Sequence, residues 1–181
     1  VYGVYGSHHS YNDESHTDEC YFEDFEDITV DNTTPIVHDE SFLPVMTGVR
    51  PSVTKSLARA KSEGFSKVEA AVRTYSMVVR RCARFFLNRN NAEIATKILR
   101  RINRLIYVSS STTFSVEYTT PLKLQLQSVV PTTVPGSLER IQALFDAVIQ
   151  YYVQKSVVTN PEIRTQFMTV WQQIVERVNA Y

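Results

Sequence analysis

The sequence predicts a mainly α-helical protein, with a helical bundle of four main helices, a short two-stranded β element and a long extended N-terminal arm. Three observations lead to this fold class. Apolar residues recur every three or four positions through most of residues 50–181. Residues 1–49 lack that spacing and are rich in Asp, Ser, His and Thr. A segment at about 112–130 alternates apolar and polar residues instead. Since 181 residues support one core, we expect an arm at 1–49 and one bundle domain at 50–181.

The predicted arm is acidic and contains many aromatic residues. Residues 1–49 hold eleven Asp and Glu, no Lys or Arg, and all four His. Aromatic side chains scattered among acids can anchor an extended segment by burial on another surface. We predict that one aromatic–acidic stretch docks the arm, with the aromatic residues as anchors and the carboxylates setting the register. The docking residues are Tyr21, Phe22, Glu23, Asp24, Phe25, Glu26 and Asp27.

Local start and stop signals bracket the first two helices. Pro51 suits the first turn of a helix, because its missing N–H would have no partner there, and Gly64 predicts that this helix ends near Glu63. Ser66 and Glu69 have the spacing of a capping box at the start of the second helix. The apolar face of the second helix comprises Val68, Ala71, Val72, Tyr75, Val78, Val79, Cys82, Phe85 and Phe86.

The remaining helices are predicted by the same reasoning. The apolar face of the third helix comprises Ile94, Ile98, Ile102, Leu105 and Ile106. Ser137 caps the next helix, and Asn160 with Pro161 starts the last one. The inward residues of these two helices are Ile141, Leu144, Phe145, Val148, Tyr152, Ile163, Phe167, Val170, Trp171, Ile174 and Val178.

The β element is predicted from alternation between the third helix and Ser137. Its apolar positions are Phe114, Val116, Tyr118, Leu122, Leu124 and Leu126. Spacing of two residues is typical of a strand that buries one face. We therefore predict two short strands joined around Thr119–Pro121.

Positive charge is concentrated in the segment after the arm. Residues 50–108 carry fourteen Lys and Arg against three Glu, a net charge of +11, although the whole chain has a net charge of zero. Arg is more frequent than Lys here, and it binds phosphate or carboxylate through two parallel hydrogen bonds. We predict a basic helical face that contacts either a nucleic acid backbone or an acidic segment of the chain's own arm or of a partner. Its residues are Arg73, Arg80, Arg81, Arg84, Arg89, Lys97, Arg101 and Arg104.

No pattern in the sequence predicts catalysis. There is no G-x-S-x-G motif, phosphate-binding loop or G-x-G-x-x-G motif, so we predict a non-enzymatic protein without a cofactor. Cys82 lies on an apolar helix face and is predicted to be a core residue. His8, His9, His16 and Cys20 lack the spacing of a structural zinc site, so we interpret them as surface residues without bound metal.

The composition also bears on the compartment. No apolar run approaches the ~20 residues that span a bilayer, which predicts that the chain has no membrane span. Two widely separated cysteines are typical of a reducing compartment. The first residues, VYGVYG, do not have the pattern of a signal peptide. Val1 in place of Met is compatible with cleavage from a larger precursor, or with the ordered residues beginning there.

Two helical segments, residues 86–94 (FLNRNNAEI) and 164–171 (RTQFMTVW), carry a family resemblance. The later segment, with the helix before it and Tyr118–Pro121, is similar to the first helical hairpin of coat proteins of rod-shaped, tobacco mosaic type viruses. The earlier segment, followed by residues 102–106 (INRLI), resembles the second hairpin of that family. The hairpins occur here in permuted order, and the acidic arm has no counterpart. The resemblance implies an RNA-binding coat protein that presents Arg89 to RNA.

Together these features predict a structural, self-assembling protein, of the kind found in a viral capsid or coat. We expect its arm to dock on neighbouring homo- or hetero-oligomeric subunits, with RNA as a further partner of the basic face. The expected location is the virion, assembled in the host cytoplasm. The alternative is a non-enzymatic subunit of a large cellular complex, for instance an organellar assembly, that uses the arm to dock on a partner.

Overall fold

The structure, a computed structural model, describes residues 25, 28, 42–87, 92–109, 120–156 and 160–181. These ranges contain the helices α1 (Phe42–Ser62), α2 (Lys67–Phe86), α3 (Ala92–Leu105), α4 (Pro121–Val129), α5 (Leu138–Gln154) and α6 (Pro161–Asn179). A 3-10 turn, Val130–Thr132, follows α4. No strand occurs in the described ranges. The predicted mainly α fold class is therefore confirmed.

Helix α1 begins earlier than the sequence predicts. It starts at Phe42, so the predicted boundary between arm and bundle at residue 49 falls inside it, and Pro51 lies in its interior rather than in its first turn. Proline there removes one helical hydrogen bond, at a cost of about 3 kcal/mol. Val49 and Val53, on either side of Pro51, are both 1% exposed. Burial of this stretch of α1 outweighs the lost hydrogen bond.

Helix α2 begins at the predicted capping box. The Ser66 side chain accepts a hydrogen bond from the Glu69 backbone N–H at 3.1 Å, and the Glu69 side chain accepts one from the Ser66 N–H at 2.9 Å. The hydrogen bond from the Ser66 backbone N–H to the carboxylate, with a smaller contribution from the Ser66 side chain, lowers the pKa of Glu69, because it favours the charged form. Gly64, with a φ of 76°, forms the turn between α1 and α2. Helix α2 packs against α1, α3, α5 and α6, so it is the central helix of the described fold.

The second predicted strand is wrong, because Leu122, Leu124 and Leu126 lie on helix α4. Thr120 caps this helix and Pro121 occupies its first turn, which are helix-start signals that the alternation obscured. Leu122 and Leu126, four residues apart, are buried, whereas Leu124 is 41% exposed. An apolar pair at this interval fits a helix as well as a strand. The first predicted strand, around Phe114, Val116 and Tyr118, lies outside the described residues.

The predicted caps of the last two helices are confirmed. The Ser137 side chain accepts a hydrogen bond from the Arg140 N–H at 3.1 Å, and the Asn160 side chain accepts one from the Glu162 N–H at 2.9 Å. Pro161 follows Asn160 in the first turn of α6. These caps satisfy amide groups that have no acceptor within the helix itself.

The centre of the core is an aromatic cluster contributed by three helices. The Tyr75 ring of α2 lies 5.6 Å from that of Phe145 on α5 and 5.2 Å from that of Trp171 on α6, measured between ring centroids. All three side chains are fully buried, so Trp171 is a core residue as predicted. The indole N–H of Trp171 donates to the Asp146 carboxylate at 2.9 Å, which satisfies its only donor.

Arg140, in the first turn of α5, is fully buried although it is charged. Its Nη1 donates to the carbonyl oxygens of Val130 and Thr133, both at 2.8 Å, and its Nη2 donates to the carbonyl oxygen of Val108. One guanidinium group thereby connects the end of α3, the 3-10 turn and α5. A fork of several donors suits this role better than an ammonium group does.

The C-terminal residues fix the turn between α1 and α2. The Tyr181 hydroxyl donates to the Phe65 carbonyl oxygen at 2.7 Å, and the Lys67 ammonium donates to the Asn179 carbonyl oxygen at 2.7 Å. The ammonium of Lys61 lies 4.8 Å from the centre of the Tyr181 ring. These contacts hold Phe65 in place next to the site described below.

Replacing Pro51 with alanine is expected to stabilise the protein. Pro51→Ala restores a donor inside α1 but also makes the unfolded chain more flexible, so the net gain is about 1–2 kcal/mol. Urea denaturation measures the free energy of unfolding, and exposed Lys55→Ala on the same helix serves as the control. A destabilised Pro51→Ala protein would mean that α1 requires the constraint of proline at this position.

Replacing Arg140 with methionine is expected to destabilise the protein by about 3 kcal/mol or more, because three carbonyl groups lose their donors. Arg100→Met on α3 is the matched control, since Arg100 is exposed and the same side chains are exchanged. The free energies of unfolding of the two variants are compared. Equal values would show that Arg140 is not required to connect these segments.

Candidate functional site

An open groove of about 580 Å³ lies between α1 and α2. The two helices are joined by a short turn and pack along each other, with the Ser56 and Thr74 hydroxyl oxygens 2.9 Å apart. Side chains from both helices and from the turn line the groove. They are Ser52, Lys55, Ser56, Arg59, Ala60, Phe65, Val72, Arg73, Ser76, Met77 and Arg80.

Four cationic side chains line the groove, together with serine, aliphatic and aromatic residues. Arg73 and Arg80, on α2, belong to the predicted basic face. Lys55 and Arg59, on α1, were not predicted as site residues. The four-residue spacing of these two was visible in the sequence, but only the packing of α1 on α2 places them opposite Arg73 and Arg80.

The polar groups in the groove differ in whether they are already satisfied. The Ser52 hydroxyl donates to the Gly48 carbonyl oxygen at 2.8 Å, and the Ser56 hydroxyl pairs with Thr74. Arg59 forms an ion pair with Glu63 at 2.8 Å. In contrast, no carboxylate among the described residues lies within 4.0 Å of Lys55, Arg73 or Arg80. The unused hydrogen-bonding capacity of the groove is therefore mainly cationic.

Arg73 is positioned by an aromatic ring. Its guanidinium carbon lies 4.3 Å from the centre of the Phe65 ring, which is within the range of a cation–π contact. Phe65 is itself held by the hydrogen bond from Tyr181 to its carbonyl oxygen. The guanidinium group thus lies over one face of the Phe65 ring, while the edges of that group still present N–H donors.

Four other predicted basic residues lie in the described part of the chain and are not among the residues that line this groove: Arg81, Lys97, Arg101 and Arg104. Arg81 lies against Gly48 of α1, where an added Cβ would come within 2.8 Å of its Nη1. Arg84 is on α2, with a side chain outside the described part, and Arg89 lies outside the described residues altogether. On α3, Lys97 and Arg104 are exposed, and Arg101 is partly buried. The predicted basic face is thus divided between the groove and α3.

One residue of the predicted docking stretch is seated on the fold of its own chain. Phe25 is fully buried and Ile28 is 5% exposed, and both belong to the main hydrophobic core. The guanidinium carbon of Arg101 lies 5.9 Å from the centre of the Phe25 ring. The other predicted docking residues lie outside the described part of the chain. They are Tyr21, Phe22, Glu23, Asp24, Glu26 and Asp27.

A second, smaller cavity of about 340 Å³ lies between α1 and α6. Arg50 and Arg177 line it, but Glu176 lines it as well, and Arg177 donates to the Thr54 hydroxyl at 2.7 Å. Its charge is therefore more nearly balanced than that of the groove. The groove between α1 and α2 is the stronger candidate for binding an anion.

The reactive side chains of the core are held in their neutral forms. Burial raises the pKa of Cys82 to about 12 and that of Tyr75 to about 12, and it raises the pKa of Tyr152 further still. Cys82 is fully buried, as predicted for a core residue, and at neutral pH its thiol is not a nucleophile.

Two searches for particular kinds of site or segment apply to the described residues alone. No group of three His, Cys, Asp or Glu side chains is arranged there to bind a metal ion, and His8, His9, His16 and Cys20 lie outside those residues. None of the described helices is both long and apolar enough to cross a membrane, in agreement with the prediction.

No family model matches the sequence, and no curated protein or solved structure shows significant similarity to it. Function is therefore inferred from the residues and contacts of this chain.

The buried tyrosines predict a loss of stability at alkaline pH. A raised pKa in the folded state means that the unfolded chain releases the proton first, so stability falls as pH rises above about 10. Tyr152→Phe removes one such group. The free energy of unfolding of this variant, relative to that of the wild type, is expected to increase by about 1.4 kcal/mol per pH unit above about pH 10.

The measurement is urea denaturation of both proteins at several pH values between about 8 and 11, within which buried tyrosine stays protonated in the folded state. Tyr107→Phe, at a side chain that is 67% exposed, is the control. A difference in the free energy of unfolding between Tyr152→Phe and the wild type that does not change with pH would contradict the prediction.

Proposed function

We propose that this chain is a non-enzymatic structural subunit that self-assembles as a component of a viral capsid or coat. In this proposal a bundle built on the four long helices α1, α2, α5 and α6 carries an extended acidic arm. The arm docks on a basic helical surface, in the same subunit or in a neighbouring one. The location is the virion, assembled in the host cytoplasm.

The observation that carries the proposal is the buried position of Phe25 beside α3. The ring is inaccessible to solvent and Arg101 of α3 lies beside it. Four acids, Glu23, Asp24, Glu26 and Asp27, are within two residues of Phe25 in the sequence. Chain geometry keeps their Cα atoms within about 7 Å of that of Phe25. In this proposal, the buried Phe25 brings these four carboxylates toward the basic residues of α3.

The buried position of Phe25, together with the length of the chain that follows it, is also compatible with exchange of the arm between subunits. Thirteen residues, 29–41, separate Ile28 from the start of α1, and a linker of that length spans at most about 45 Å. This reach accommodates an arm seated on its own subunit and also one seated on a close neighbour. Exchange of an identical contact between copies is a common route to oligomers, because the contact itself does not change.

The alternative function is a non-enzymatic subunit of a cellular complex, in which the arm docks on a different protein. In both proposals, Phe25 anchors the arm by burial at the same position. They differ in the partner, because a coat subunit assembles with copies of itself. Assembly of the purified chain alone therefore favours the coat, and a stable monomer favours the cellular complex.

The arm is tested by removing its charge while keeping its aromatic anchors. Glu23, Asp24, Glu26 and Asp27 are replaced by the corresponding amides in one variant. We expect the wild-type chain to form oligomers in sedimentation velocity, and the variant to require at least about tenfold higher concentration, since it loses several charge-assisted contacts.

The matched control replaces four carboxylates on the helices, Glu93, Glu139, Glu162 and Glu176, with glutamine. It changes the net charge equally but leaves the arm intact. If the wild type stays monomeric at every concentration, the self-assembly proposal is wrong. If the arm variant and the wild type assemble alike, the arm does not mediate assembly.

A further inference from the structure

We propose that the groove between α1 and α2 binds the phosphate backbone of single-stranded nucleic acid without reading its base sequence. The groove is a different surface from the one on which Phe25 is buried. Binding there is independent of whether subunits assemble through the arm.

The groove is strongly cationic. Lys55, Arg59, Arg73 and Arg80 all line it, and of these only Arg59 has an ion-pair partner among the described residues. The serine hydroxyls Ser52 and Ser56 already form hydrogen bonds within the protein. A ligand that satisfies the groove must therefore supply negative charge and hydrogen-bond acceptors, and it needs few donors.

The arrangement of the cations indicates an extended anion rather than a single small one. Arg73 and Arg80 are seven residues apart on α2, which corresponds to about 10 Å along the helix axis. Lys55 and Arg59 are four residues apart on α1, or about 6 Å. One phosphate group contacts one or two of these positions. A chain of phosphates contacts all of them and displaces several counterions on binding.

The walls of the groove favour the backbone of the ligand over its bases. Phe65 is the only aromatic side chain among the described residues that line the groove, and the Arg73 guanidinium group lies over its ring. Apolar side chains such as Ala60, Val72 and Met77 also line the groove. Base recognition in single strands commonly uses several open aromatic faces and side-chain amides, and the described residues that line the groove include no Asn, Gln or second aromatic side chain.

The size of the groove favours a single strand over a duplex. Packed helices lie about 8–10 Å apart, so the space between α1 and α2 is narrow. A volume of about 580 Å³ accommodates a short stretch of a flexible strand, whereas a rigid duplex would contact only the rim.

An acidic protein segment is the competing ligand, and the seat of Phe25 argues against the chain's own arm in this role. The acidic stretch Glu23–Asp27 surrounds Phe25, which is buried beside α3 and is not among the residues that line the groove. Phe25, at the centre of that stretch, is therefore buried on a different surface.

The test measures binding of the full-length chain to a labelled oligonucleotide by fluorescence anisotropy. Oligo(U) and oligo(A) of about 20 nucleotides, and a duplex of the same length, are titrated between about 50 and 200 mM salt. We expect similar affinities for the two single strands and weaker binding of the duplex. Four phosphate contacts predict a slope of log K against log salt concentration of about −3.

The diagnostic variant is Lys55→Gln with Arg80→Gln, because neither side chain has a partner among the described residues. It is expected to weaken binding by about tenfold or more and to reduce the salt slope by about 1.4. Lys97→Gln with Arg100→Gln, on exposed positions of α3, removes the same charge outside the groove and is expected to change binding less. Thermal unfolding of both variants verifies that they are folded.

Three results would overturn the inference. One is absence of oligonucleotide binding by the wild type at about 50 mM salt. Another is an equal loss of binding in the groove and α3 variants, which would place the contact elsewhere. The third is competition by poly-glutamate as effective as that by unlabelled oligo(U), which would identify the groove as a site for acidic protein segments. None of these results depends on the assembly state of the arm variant.

Discussion

The rest of the structure depends on the burial of one face of helix α2. Tyr75, Val79 and Cys82 on this face are fully inaccessible to solvent, and α2 packs against α1, α3, α5 and α6. Because the helix repeats every 3.6 residues, burial of these positions turns Arg73 and Arg80 away from the core. The hydrophobic face of α2 therefore determines where its positive charge is presented, and α1 supplies the opposite wall of the groove.

The opposite charges of residues 1–49 and of the basic segment do not by themselves determine how the two segments contact each other. Attraction between exposed charges is screened beyond about 8 Å at physiological salt, so it brings segments together without fixing a position. Burial of an aromatic side chain does fix a position, and Phe25 is buried beside Arg101 of α3. The two basic surfaces consequently have different surroundings. The surface on α3 includes Arg101 beside Phe25, whereas in the groove only Arg59 forms an ion pair, with Glu63, among the described residues.

Sequence reasoning was most successful where the determining interactions are local. The capping box at Ser66 and the caps at Ser137 and Asn160 were predicted because each involves residues no more than three positions apart. It failed at Pro51 and at Leu122–Leu126. Proline inside α1 is tolerated because distant residues bury that helix, and the leucine alternation is a helix because only Leu122 and Leu126 meet the core. Both outcomes depend on contacts between segments that are far apart in the sequence.

The sequence alone determined that the chain is mainly helical, that its acidic and basic residues are segregated, and that Arg73 and Arg80 share a helix face. These properties follow from order and spacing along the chain. The tertiary structure decided which cations meet, because Lys55 and Arg59 join Arg73 and Arg80 only when α1 packs on α2. It also decided that Phe25 belongs to the core of its own chain. Burial depends on what surrounds a side chain in space, and spacing along the sequence cannot specify those surroundings.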